Sequence, residues 1–372
     1  MDFNLTPEQR DAAELARTML TDACSQPRLR EIEATGTRHD GELWRRLGGA
    51  GLLGLHLPET AGGAGLGLLE VCSVAVEVGR VVAPLPLVAH AVAADALARF
   101  GSPEQVAAWV RPAADGENVL TPALNEDLAD APERPSTAAE RTGDGWRVTG
   151  TKTVVPAATV ADLFLVPADT AEGGIVLLVR PDDPGVQVHA QQVNDGDTVG
   201  RLELAGVELG ADRVLGAPGQ GSDLTRWLDA RHTVVLCAEQ LGVVEGALAL
   251  TAEYARTREQ FGRPIGTFQA VSQRLADGYI DVQGLRLTMW QAAWRLSEDL
   301  PADVEVATAK LWAADTGHKI AHTTVHVHGG VGIDLDGPAH RYFTAAKRRE
   351  FTSGGSTRQA LAVGRVLAAE PV

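Results

Sequence analysis

From about residue 223 to 258 the chain runs without a proline and with few glycines. Apolar positions recur at intervals of three and four, through Leu241, Val244, Leu248, Thr251 and Ala255. That is the period of a long helix with one buried face. Gly262, Pro264 and Gly266 interrupt it, and a second long helical pattern follows from about Phe268 to Leu296. Two such helices joined end to end commit this part of the chain to a helical bundle. Arg258, Phe261 and Gln269 fall at the corner between them. A guanidinium, an aromatic face and an amide presented together suit a dinucleotide: charge for a pyrophosphate, an apolar face for a ring, a donor/acceptor pair for a base edge. On spacing alone, an ordinary helical hairpin with an exposed arginine fits as well.

The chain divides into three expected domains. Residues 1–117 read as helical, opened by the capping box Thr6-Pro7-Glu8-Gln9, with helical patterns at Asp11–Leu20, Leu43–Leu52, Leu68–Val81, Ala89–Phe100 and Glu104–Val110. The glycine cluster Gly62, Gly63, Gly65 and Gly67 lacks the Lys-Ser/Thr of a phosphate loop and reads as a connection between helices. Residues 118–215 change to short β-branched or alternating runs, among them Trp146–Val148, Leu163–Val166, Ile175–Val179 and Val186–His189. They read as an antiparallel β domain. Gly216–Gly221 leads out, and residues 222–372 read as a four- or five-helix bundle, with helices expected over 223–259, 267–298, 303–327, 338–350 and 356–369. The whole is an α+β multidomain chain. A helix–sheet–helix order without βαβ alternation argues against a Rossmann fold.

Composition narrows the partners. A formal charge of −16 argues against nucleic acid or an anionic membrane surface. Three scattered cysteines, Cys24, Cys72 and Cys237, point to a reduced, cytoplasmic setting without a disulfide framework. No signal peptide or long apolar run is read, so neither export nor a membrane span is expected.

The pattern Tyr254-Ala255-x-x-Arg258-x-x-Phe261-Gly262-x-Pro264-Ile265-x-x-Phe268-Gln269 closely resembles the acyl-CoA dehydrogenase family. The resemblance extends over nearly the whole chain. Gly54–Gly65 with Glu77-Val78-Gly79-Arg80 is similar to the family's PE-x-x-GG-x-G and E-x-GR segments. Gly150-Thr151-Lys152 opens the strand region as in the family, and Leu202–Gly216 resembles the stretch that closes it. His328-Gly329-Gly330, with Pro338 and Arg341, resembles the Q-x-x-GG segment. The resemblance implies the acyl-CoA dehydrogenase fold and the cofactor FAD. It implies α,β-desaturation of an acyl-CoA or acyl-carrier thioester, with an electron-transfer flavoprotein or similar acceptor. Carried over position by position, it makes Arg258, Phe261, Gln269, His326, Gly329, Gly330 and Ser356 cofactor-binding residues, with His326 standing where the family has Gln.

In the family a carboxylate removes the α-proton while the β-hydrogen leaves as hydride to the flavin. Counting on from Gly330 at the family's spacing lands on Ser353, in Phe351–Thr357. An unassisted serine hydroxyl stays protonated at neutral pH and supplies no base. A minority of the family carries the acid early in the first long helix of the bundle. That place is taken by His232, and Glu239 lies two helical turns further on. Both are candidates for a base, set against packing and a polar contact at a subunit seam. The ring-contacting segments also depart from the family: Leu120–Asp130 keeps only Glu126, and Val154-Val155-Pro156 replaces W-I-T.

Other features have plainer readings. His318, His322 and His326 recur at helical spacing, but no acidic ligand is interleaved and the aligned family segment binds no metal, so no metal is expected. Trp290, Trp294 and Trp312 read as core or interface. Lys347-Arg348-Arg349 reads as a solvated face. Asp229-Ala230-Arg231 resembles the family's CoA-touching D-x-x-R segment, displaced by one to two positions.

A preserved nucleotide grip beside a missing acid resembles the non-catalytic subunit of actinobacterial heterotetrameric acyl-CoA dehydrogenases of sterol side-chain degradation. The partner chain of such an enzyme supplies the Glu and the flavin-ring pocket. Two alternatives stay open: a self-sufficient homotetramer with an unusual base, and a non-enzymatic acyl-CoA-binding scaffold.

Overall fold

The computed structural model describes residues 6–127 and 131–369. Leu128, Ala129 and Asp130, the end of the Leu120–Asp130 segment, lie outside the described residues. By packing, the chain forms two compact units.

The first comprises Met1–Arg30, Leu68–Ala83 and Thr233–Val372. It is helical and includes α1 (Pro7–Ala23) and α4 (Leu68–Arg80). Its bundle is built from α7 (Gly221–Thr257) beyond His232, α8 (Gln269–Ser297), α9 (Asp303–His328), α10 (Ala339–Phe351) and α11 (Ser356–Ala369). The Thr6–Gln9 capping box is present, with Gln9 N–H donating to Thr6 Oγ1 at 3.2 Å and Gln9 Oε1 accepting from Thr6 N–H at 3.0 Å. Helices α4 and α7 carry glycine where their two backbones meet. A Cβ on Gly79 would lie 1.9 Å from Glu239 O, and one on Gly242 would lie 1.9 Å from Val76 O. The close approach brings charged side chains together. Glu77 accepts from Arg17 (3.0 and 2.9 Å) and from Arg80 (2.9 and 3.3 Å), and Arg80 reaches Glu245 at 2.6 Å. Arg286 of α8 also pairs with Glu245. Glu77 and Arg80, the E-x-GR residues, thus work as the centre of an ion-pair network that ties α1, α4, α7 and α8. The longest helix, α7, is apolar enough to cross a membrane, yet 78% of its most apolar window is buried within the protein. It is the bundle's core helix.

The second unit comprises Glu31–Gly67 and Pro84–His232. It holds α3 (Gly41–Gly49), α5 (Leu87–Phe100), α6 (Pro103–Ala114) and the β layers. Helix α2 (Gln26–Ala34), absent from the helices expected, is mostly polar, and its nine residues are too few to establish a period. The strands are β1 (Leu120–Pro122), β2 (Ala138–Thr142), β3 (Gly145–Val155), β4 (Leu163–Ala168), β5 (Ile175–Val179), β6 (Val186–Ala190), β7 (Gly200–Leu209) and β8 (Val214–Leu215). One sheet has the order β2-β3-β7-β6 and is antiparallel throughout; the other has the order β1-β4-β5-β8. The antiparallel expectation is corrected at one place, where β1 pairs with β4 in parallel. Two-residue periodicity does not report the direction of a neighbour. The inward side chains of both sheets share one core, with Trp146, Val148, Leu202, Leu204 and Val207 from one and Phe164, Val166, Leu177 and Val179 from the other.

His90 fastens β1 to the helices of this unit. It is fully buried, its Nδ1 accepts from Leu120 N–H at 3.2 Å, and its Nε2 lies 3.2 Å from Ala113 O. Those contacts require the neutral ring with the proton on Nε2. Burial pushes its pKa down to about 3.

Candidate functional site

The corner after α7 is tighter than a plain turn. Glu259–Gln260 (β9) and Arg263–Pro264 (β10) form a miniature hairpin with Gln260 opposite Arg263. Phe261 and Gly262 are its two loop residues, and both have positive φ, 53° and 76°. Two left-handed loop residues match the right-handed twist of a hairpin, and glycine takes that conformation freely. Phenylalanine does not. A bulky side chain in the left-handed region costs roughly 1–2 kcal/mol, and Phe261 is nevertheless 93% exposed. Its ring meets Phe268 edge-on at 6.1 Å, and Arg263 lies over the Phe268 ring at 4.3 Å. A strained backbone that presents an open aromatic face is the arrangement a planar ligand would use.

Arg258 sits at the start of this corner, with its N–H on Tyr254 O (2.8 Å) and its carbonyl accepting from Ile265 N–H (2.8 Å). Its side chain and that of Gln269, the first residue of α8, are exposed. One turn before Arg258, the Tyr254 ring stacks on His328 at 4.3 Å and 22°. His328 Nδ1 lies 2.8 Å from Thr324 O, which holds the ring in place. This stack joins the end of α7 to the end of α9. It therefore places the Arg258–Phe261 corner beside the segment that carries His326, Gly329 and Gly330. The three are exposed. Gly329 has φ 64° and ψ −140°, a conformation open only to glycine, and a Cβ on Gly329 or Gly330 would meet no atom within 4 Å. The Tyr254–His328 stack is not signalled by either helix's period; only the recurrence of aromatic residues near both helix ends hints at it.

The region of the absent acid is well ordered by hydrogen bonds. Ser353 lies in the loop between α10 and α11, with φ 57°, and Gln359 Nε2 donates to its carbonyl at 2.7 Å. Ser356 is the first residue of α11 and is half-buried. Glu239 is buried and accepts two hydrogen bonds from Arg349, at 2.9 and 2.7 Å. The pair links α7 to α10 within the chain. Arg349 is itself buried, which corrects the reading of Lys347–Arg349 as a solvated face. The helix period places one of the three basic residues inward, and a run of like charges conceals it. His232 is also buried. One residue before it, the Arg231 guanidinium lies 4.0 Å over the Trp227 ring and 4.0 Å from Asp95.

The segments that correspond to the family's ring-contacting ones are engaged internally. Glu126 accepts from Lys152 (2.6 Å), from Ser136 (Oγ, 2.6 Å) and from Thr137 (N–H, 3.0 Å; Oγ1, 2.6 Å). Burial alone would raise its pKa; the Lys152 charge and these donors outweigh burial and hold it at about 2. Val155 is fully buried in the sheet core. Val154 has φ 49°, and its N–H is accepted by Gln191 Oε1 at 2.7 Å.

Along α9, the His318 and His322 rings lie 4.5 Å apart, and the Lys347 ammonium stands 3.1 Å from His318 Nδ1. Glu350 Oε1 is 3.2 Å from the same nitrogen. Among the described residues, no group of three or more His, Cys, Asp or Glu side chains is arranged to hold a metal ion. Trp290, Trp294 and Trp312 are half-buried.

The helical bundle, the two-sheet core and the N-terminal helices are the elements of the acyl-CoA dehydrogenase fold. Residues 6–117 match the acyl-CoA dehydrogenase N-terminal domain, and residues 219–368 match the acyl-CoA dehydrogenase C-terminal domain. The chain belongs to the acyl-CoA dehydrogenase family. It is 50% identical over 380 residues to acyl-CoA dehydrogenase FadE27 of Mycobacterium tuberculosis, covering 100% of both. The crystal structure of the ChsE4-ChsE5 complex from Mycobacterium tuberculosis includes a chain of TM-score 0.95 at 50% identity, over 100% of both chains. A variant of the steroid ACAD Tcur3481-Tcur3483 gives 0.91 at 42% identity, over 97% of this chain and 98% of that one. FAD is the cofactor of the family.

Proposed function

We propose that this chain is the partner subunit of a heteromeric acyl-CoA dehydrogenase, gripping the nucleotide tail of a flavin whose ring and catalytic acid belong to a second, homologous chain. The observation that carries this reading is the contrast between its two ends. The strained, 93%-exposed Phe261 and the open Gly329–Gly330 turn fit a dinucleotide. Glu126, Val154 and Val155 are engaged within their own unit, and a serine stands at the acid's place. Bound FAD supplies a hydride acceptor for the β-hydrogen of the thioester. This chain's share is to orient it: Arg258 for the pyrophosphate charge, Phe261 and Gln269 for the base, His326 as a donor in place of the family's Gln, and Ser356 from the start of α11. The likeness to chains of the ChsE4-ChsE5 and Tcur3481-Tcur3483 complexes supports a two-chain assembly, and the second of these supports a steroid thioester of coenzyme A as substrate. The division into domains 1–117, 118–215 and 222–372, a cytoplasmic setting and an electron-transfer flavoprotein as acceptor go with the same proposal.

The experiment is co-production with a homologous dehydrogenase subunit, from an adjacent gene where one exists, followed by a flavin count. The chain alone is expected colourless near 450 nm and the complex yellow, with Arg258→Ala in this chain lowering its flavin content. Stoichiometric FAD and thioester oxidation by the lone chain would refute the reading.

A further inference from the structure

The end of α10 is held by a side chain that the flavin grip does not use. The last four carbonyls of a helix have no partner within it. In α10, Arg348 O accepts from Thr352 N–H (3.2 Å) and Phe351 O from Gly354 N–H (3.0 Å). The two between them, Arg349 O and Glu350 O, accept from Lys310 Nζ at 3.1 and 3.0 Å. Lys310 reaches them from α9 and is 0% exposed. An ammonium is costly to bury, and its partners here are carbonyls of a helix C-terminus, where a positive charge is favoured. Gln240 of α7 adds a bond to Ala346 O at 3.2 Å, and the Glu239–Arg349 pair holds the same turn from the side. That turn leads into the 352–355 loop with Ser353, and the loop leads into Ser356.

We infer that Lys310 is a positioning residue: its buried ammonium caps α10, fixes the 352–355 loop, and through it sets Ser356 for the flavin. The last step rests on the function proposed above; the first does not. Lys310→Met removes the donor from the Arg349 and Glu350 carbonyls, the first of them buried, and frees the loop to move. Arg258 and Phe261 lie at a different corner and are untouched by it.

The test uses the co-produced complex and hydrogen exchange resolved to residues 351–360. Lys310→Met is compared with Leu285→Ala, which removes core volume from the same unit at a fully buried site on α8. Exchange in the loop is expected to rise at least about tenfold in Lys310→Met, the equivalent of one lost charge-assisted hydrogen bond. In Leu285→Ala it follows only the global loss of stability. FAD is expected to bind more weakly in Lys310→Met than in Leu285→Ala at equal Tm. If Lys310→Met yields no soluble complex, Lys310→Gln, which keeps a donor for one carbonyl, is read the same way with a smaller rise. Loop exchange unchanged from wild type, or raised equally by Leu285→Ala, overturns the capping role. A loosened loop with unaltered FAD affinity overturns the link to the flavin. Failure of the proposed function itself would show elsewhere, as a flavin content indifferent to Arg258→Ala.

Discussion

Arg349 closes on Glu239 through two hydrogen bonds, Nε to Oε2 at 2.9 Å and Nη2 to Oε1 at 2.7 Å, with both side chains buried between α7 and α10. Bidentate geometry gives each oxygen a donor and leaves little room for a second task. Removing the carboxylate would strand a buried guanidinium, at a cost of about 3–5 kcal/mol. Glu239→Gln is therefore expected to lower the chain's stability in denaturant titration by nearly that amount. Glu239→Leu combined with Arg349→Met should recover most of the loss, because no charge is then left unpaired. A neutral single substitution would mean that the pair is open to solvent in the assembled protein.

Phe261 carries strain that glycine or asparagine would relieve. Asn-Gly is a favoured pair for a two-residue hairpin loop in which both φ angles are positive. Phe261→Asn should thus raise the Tm of the isolated chain slightly, with a gain of up to about 1 kcal/mol, while it weakens FAD binding by the complex. The opposed signs are the informative result. A substitution that lowers both would assign Phe261 to folding rather than to a ligand.

The helical bundle was legible because long helices repeat their period many times. The expected 267–298 and 303–327 differ from α8 and α9 by a residue or two, and 356–369 coincides with α11. The sheets were legible as strands but not as pairings, so the parallel β1–β4 contact went unread. The candidate site was marked only by family spacing, at Arg258, Phe261 and the Gly329–Gly330 turn, which the structure brings near one another through the Tyr254–His328 stack. Contacts between residues far apart in sequence carried no local signal. Tyr254 on His328, Lys310 on α10 and Arg349 on Glu239 each depend on how helices pack. A run such as Lys347–Arg349 looks solvated until the helix is placed against its neighbours.

The β-containing unit should be acid-sensitive in a defined window. His90 is pushed down to about 3 by burial, from an ordinary 6.5, with a smaller effect from His56. Between those values the unfolded chain binds a proton that the folded chain refuses, so stability falls as pH drops from 6.5 towards 3. His56, also lowered by burial, acts in the same direction. Glu126 adds a lower step: its pKa of about 2 against an ordinary 4.5 contributes stability above 4.5 that is lost as pH falls towards 2. His90→Gln is expected to flatten the upper part of the curve, by as much as about 1.4 kcal/mol per pH unit. Trp44 meets His90 edge-on at 4.7 Å, and its fluorescence during denaturation reports the change. An unchanged slope would show that His90 is protonated in the folded protein.

Ser353→Glu tests whether the missing acid is all that this chain lacks. The substitution returns a carboxylate to the family's usual place, on a loop already fixed by Lys310 and Gln359. The new side chain would take the positive φ of 57° that Ser353 already adopts. A base accelerates proton removal only when the reacting thioester and its hydride acceptor are held against it. Here Glu126 is committed to Lys152, Ser136 and Thr137, and Val155 to the sheet core. In a complex whose partner subunit has lost its own catalytic carboxylate, Ser353→Glu is therefore expected to restore no desaturation of acyl-CoA, measured by flavin bleaching under anaerobic conditions. The flavin content should stay as in the parent complex. Turnover regained through this one residue would mean that a complete flavin-ring pocket survives in this chain, and the shared-site account would fall.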